Sequence, residues 1–103
     1  MSTVKGTLPH GMRVGEEIHR HFEVREALVD DMVQAEKDVS PTELHAFNVQ
    51  LLCRVTVKIG SFTGPFSPGM FMKLKRGDYN ALVQAMLEAD KLGESAPAAV
   101  ENT

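Results

Sequence analysis

The segment EIHRHFEVR (17–25) changes side at every residue. Ile18, Arg20, Phe22 and Val24 share one face, while His19, His21, Glu23 and Arg25 take the other. A period of two marks a strand with one buried face. TVKGTL (3–8) alternates more weakly, with Val4 and Leu8 on one side and Lys5 and Thr7 on the other. Pro9, Gly11 and Gly15 lie between the two segments and mark a turn region. Together they predict an antiparallel hairpin with a long connection. A lone hairpin is marginal in water, so its apolar face needs a lid.

The rest of the chain supplies that lid at a different period. Leu28, Met32, Val33 and Ala35 fit a short helix over 27–38, with Asp30 as its candidate cap. In SPTELHAF, Ser40 reads as an N-cap, Pro41 as the first helical residue and Glu43 as the partner of a capping box. Leu44, Phe47, Leu51, Leu52, Val55 and Ile59 follow at helical spacing, and Gly60 is a stop. RVTVKI (54–59) also alternates like a strand, but three committed helical turns precede it and favour helix. After a loop over 61–69, Ser67 and Pro68 open a short helix that Arg76 and Gly77 close. Asp78 then caps a last helix with Tyr79, Leu82, Val83, Met86 and Leu87 as its stripe and Gly93 as its end. The expected class is α+β: a small N-terminal antiparallel β-hairpin packed against three to four α-helices.

A chain of 103 residues holds one modest core. The expected organisation is a single domain over 1–93 and a small, polar, disordered tail over 94–103. Cys53 is the only cysteine, so no intrachain disulfide is possible, which fits a reducing cytoplasm. The first residues lack the apolar stretch of a signal peptide, and no apolar run approaches the roughly 18 residues of a membrane span. The expectation is a soluble, intracellular protein.

The net charge of -3 is too weak a field for nucleic-acid wrapping. Its distribution is uneven, however. Residues 26–43 hold six acids and one lysine, while 44–77 hold no acid and five cations, Arg54, Lys58, Lys73, Lys75 and Arg76. Cations at helix ends complement the helix dipole, so a solvated face explains them as well as a ligand does.

Three constellations invite chemistry. His19 and His21, two apart on a strand, lie about 7 Å apart on one face and are able to grip a metal at two points. A catalytic zinc also needs a third ligand and an open position, and neither His10 nor Glu23 is fixed there by the sequence. The competing reading is the wet side of the strand. His45 and Cys53 fail as a nucleophilic pair, because eight helical residues separate them by about 12 Å along the axis. Cys53 reads instead as a small buried residue. The glycines of TGPFSPG lack the Gly-Lys-Ser/Thr of a phosphate loop. Phe62, Phe66, Met70, Phe71 and Met72 form the remaining cluster and are the candidate partner-binding residues. Flexible thioethers and aromatics suit a surface that accepts apolar partners, with core filling as the competing role.

The order of features resembles the small tail assembly chaperones of Mu- and P2-like contractile-tailed phages and prophages. The resemblance rests on the early polar hairpin ending in FEVRE, the IG-x-F-x-GP-F loop and the closing L-x-x-x-DYNAL-x-x-A helix, and covers residues 3 to 92. It implies a non-enzymatic protein of the host bacterial cytoplasm, absent from the mature virion. Such a protein binds and shields the tape-measure protein and helps tail-tube subunits assemble around it. In this family a longer product often arises by translational frameshift. The resemblance brings no catalytic residues, cofactor or membrane contact. Charge separation between the acidic and basic stretches is expected either to guide docking of the partner or to drive self-association. Two other classes compete: a small metal-binding enzyme built on His19 and His21, and a regulatory or nucleic-acid adaptor using the basic segment from Lys73 to Arg76.

Overall fold

The computed structural model describes residues 2–95. Strand β1 (Thr3–Val14) and strand β2 (Glu17–Arg25) lead into helices α1 (Val29–Glu36) and α2 (Leu44–Val55). Strand β3 (Thr56–Ile59), helix α3 (Pro68–Met72) and helix α4 (Arg76–Ser95) complete the order. The sheet is antiparallel in the order β1-β2-β3. The α+β class with a leading hairpin is as expected, and a third strand extends it.

The hairpin is longer and tighter than its sequence suggests. Val14 pairs with Glu17 across a two-residue turn, so no long connection exists. The punctuating residues sit instead inside β1, as a bulge. Between the pairs Thr7–His21 and Met12–His19, β1 takes five steps while β2 takes two. Backbone groups freed by a bulge need other partners. Arg20 supplies two of them, donating from Nε to the Leu8 carbonyl at 3.0 Å and from Nη2 to the Pro9 carbonyl at 3.1 Å. The Asp78 carboxylate takes the amides of His10 and Gly11. Leu8 and Met12, on either side of the irregularity, both reach the core.

α4 lies across β1 and β2. Its buried stripe is Asp78, Leu82, Ala85, Met86 and Ala89, while Leu87 is exposed and Tyr79 and Val83 are half-buried. The alanines let the helix approach the sheet closely. The helix begins at Arg76, so Asp78, the expected cap, lies inside its first turn. It also runs through Gly93 to Ser95. A side chain at Gly93 would press on the Glu26 carboxylate, so this glycine marks a close approach and no terminus. Of the tail expected over 94–103, Glu94 and Ser95 belong to α4, and the rest lies outside the described residues.

α2 starts later than the capping box indicates. Ser40 and Thr42 form a local turn, with the Thr42 amide donating to Ser40 Oγ at 3.2 Å, and the helix begins only at Leu44 behind Glu43. Ser40 hydroxyls serve such turns as readily as caps. At the other end, the alternating TVKI forms β3 along β2. The helical reading of 54–59 is therefore wrong for Thr56–Ile59. Burial of Thr56 and Ile59 and pairing with β2 outweigh the preceding helical period.

α1 differs most from expectation. Its buried residues are Asp31 and Ala35, whereas Val29 is 75% exposed and Met32 49% exposed. The helix is anchored by charge: Asp31 accepts from both Arg25 Nη atoms at 2.8 and 2.9 Å, from Arg54 Nε at 2.8 Å and from the Leu28 amide at 2.8 Å. The Arg25 guanidinium, ahead of burial and the other donors, holds the Asp31 carboxyl well below the usual carboxylate range.

Candidate docking surface

β3 is followed by Gly60, whose φ of +61° is a left-handed conformation that suits glycine. Its Cα also passes directly beneath the His19 ring, where a side chain would collide. Beyond it the backbone folds back, with Ile59 and Phe62 exchanging amide–carbonyl bonds of 2.9 and 3.0 Å. An aromatic chain then ties the loop to the core. The Phe62 and Phe66 rings meet edge to face at 5.1 Å, and Phe66 lies 5.8 Å from Phe71. Ser67 precedes α3 with Pro68 at its start, as the sequence predicts.

The five candidate partner-binding residues divide by depth. Phe71 is core at 2% exposure. Phe66 and Met70 are half-buried against that core, and Phe62 is half-buried in the loop. Met72 is 64% exposed. Neighbours on a helix point about 100° apart, which sends Phe71 inward and Met72 outward.

Met72 edges a cleft of about 500 Å³ between α2, α3 and the start of α4. Val49 and Phe71 are its buried lining, and Leu74, Arg76 and Asn80 also border it. One wall is polar: Tyr79 Oη shares a hydrogen bond of 2.8 Å with His45 Nδ1, and Asn48 donates to the same oxygen at 3.3 Å. Leu44, beside His45 at the start of α2, is 60% exposed. An apolar floor with a fixed polar rim is suited to receiving an apolar side chain.

Most of the other sequence candidates are placed apart from this cleft. His19 is not on the wet face: its side chain is 15% exposed, packed over Gly60, with Nε2 3.3 Å from Glu17. His21 is exposed, with Nδ1 3.4 Å from Thr7 Oγ1. Among the described residues, no group of three or more His, Cys, Asp or Glu is placed to hold a metal ion. Cys53 is half-buried, and burial pushes its thiol up to about 11. Lys73 and Lys75 line a second cleft with Arg13, which adjoins the first at Leu74, and Arg76 borders the first. No helix of the described residues is long and apolar enough to cross a membrane.

The sequence reading missed the exposed apolar residues Val29, Met32, Val33, Leu44 and Ile18. Ile18, expected to face inward with Phe22 and Val24, is 57% exposed at the hairpin tip. Arginines at 25 and 54, flanking a helix that carries Asp31, were the available sign that α1 is held by charge.

A family model described as tail assembly protein gp41, for Mu-like phages, matches residues 8–102. The chain belongs to this family. The match spans the hairpin from the bulge onward, both clefts and all four helices of the described residues. No curated protein and no solved structure matches the chain significantly. Membership in the tail assembly protein gp41 family sets the role at the level of phage tail assembly, and with it interaction with other tail components.

Proposed function

We propose that this gp41-family protein is a non-enzymatic chaperone of the tail tape-measure protein, acting in the host cytoplasm and left out of the finished virion. The observation that carries this reading is the Met72 cleft, where a flexible exposed thioether borders a floor of Val49 and Phe71. Amphipathic helices of a tape measure present leucine-like side chains at helical spacing, and such a groove accepts them one or two at a time. Methionine adapts to differing partners, which suits a client with many related segments. Tail-tube subunits are a second set of partners on the same reading.

Phe62, Phe66, Met70 and Phe71 then act from beneath, holding α3 in place, while Met72 and Leu44 meet the client. The test is co-purification of the protein with tape-measure fragments. Met72→Asp is expected to lower recovery at least about tenfold, the cost of placing a charge in an apolar contact, with an unchanged thermal melt. Wild-type recovery by that variant overturns the assignment of the cleft. Absence of affinity for any tape-measure fragment overturns the chaperone reading itself.

A further inference from the structure

The chain carries two further apolar faces of opposite charge at opposite ends of β2. At one end, next to Arg25, α1 projects Val29, Met32 and Val33 into solvent. Asp30, Glu36 and Asp38 are exposed around them against the exposed cations Lys37 and Arg54, the latter 3.2 Å from Asp30, which leaves the face acidic by one charge. At the other end lies a cleft of about 750 Å³ between the hairpin tip and α3. Ile18, Met70 and Leu74 give it an apolar surface, Arg13, Lys73 and Lys75 give it positive charge, and no acid lines it.

We propose that copies of this chain associate head to tail, with α1 of one copy seated in the basic cleft of the next. Three relations support a second copy as the occupant. The charges are complementary, acidic around α1 and basic around the cleft. The shapes are complementary, since α1 is a protruding helix about 12 Å long and the cleft is concave. The faces cannot meet within one molecule, because Ile18 and Arg25 are seven strand residues, or about 23 Å, apart. Two different faces joined in this way make a heterologous contact, which propagates into a ring or a short filament. The contact uses neither Met72 nor Leu44, and the variants that test it leave Leu74, which borders both clefts, unchanged.

The test uses two variants of the full chain, each with one blocked face. Met32→Glu with Val33→Glu blocks α1, and Ile18→Glu with Lys73→Glu blocks the cleft; all four positions are exposed, and circular dichroism checks the fold. Wild type is expected to form oligomers in light scattering at high micromolar concentration, weakening as salt is raised. Each variant alone is expected to be monomeric, with association weakened at least about tenfold. Mixed together, the two variants still hold one intact face each and are expected to form a one-to-one dimer that grows no further. A wild-type chain that stays monomeric, a variant that assembles alone, or a mixture that stays monomeric each overturns the proposal. Capture of a basic amphipathic peptide by α1 without any self-association also overturns it, and assigns that face to a different partner.

Discussion

Asp78 accepts a hydrogen bond of 2.8 Å from the backbone amide of His10, although the two residues lie 68 positions apart in the chain. The same oxygen takes the Gly11 amide at 3.4 Å, so one carboxylate in the first turn of α4 secures the bulge of β1. Asp78→Ala strands both amides next to the core and removes a negative charge from a helix start. Its expected cost is about 2–3 kcal/mol. Asp78→Asn keeps an acceptor oxygen and is expected to lose less. Urea titrations of the two variants check the order, and an alanine variant as stable as wild type contradicts the anchoring role.

Asp31 makes a second long-range anchor and sets an acid limit. Its carboxyl is 2% exposed and held charged by Arg25 and Arg54. A carboxyl with a lowered folded-state pKa contributes stability that is present above the unfolded value. That contribution is lost as pH falls below about 4. Asp31→Ala is expected to cost about 3 kcal/mol at neutral pH and to flatten the stability profile on the acid side. Denaturation midpoints measured between neutral and acid pH test this, and an unchanged slope in the variant speaks against it.

Gly60 is expected to tolerate no side chain while His19 lies over it. Gly60→Ala combines a left-handed backbone with a clash and should cost about 1–2 kcal/mol or more. Removing the ring with His19→Ala relieves the ring's part of the clash and leaves the close approach of the Cβ at position 19 and the backbone cost. A double-mutant cycle measures the difference. Strict additivity would show that the two residues do not touch.

The Cys53 thiol, pushed up to about 11 by burial, carries almost no thiolate at neutral pH. Alkylation of the native protein at pH 8 is expected to be much slower than that of the urea-unfolded chain. Equal rates in the two states would place Cys53 at the surface.

The class of the fold was legible because the hydrophobic period changes from two to 3.6, and Ser67–Pro68 marked α3 directly. What stayed hidden depends on tertiary partners. Nothing local makes Pro9 to Gly11 a bulge instead of a turn; Asp78 and Arg20, both distant in sequence, do that. TVKI becomes a strand because β2 has a free edge to pair with. The sequence period puts the aliphatic side of α1 inward, since no period reveals an acid buried between two arginines. The candidate site was half legible: the Phe and Met cluster located α3, but only the fold separates Phe71 as floor from Met72 as rim.

The irregularity in β1 also bears on the proposed contact between copies of the chain. Both borders of the sheet are blunted, β1 by its proline-bearing kink and β3 by the return of Phe62 onto Ile59. Both features disfavour backbone pairing between neighbours, which leaves side-chain contacts to carry the proposed association. Such contacts dissolve as well as form, as the transient role proposed above requires.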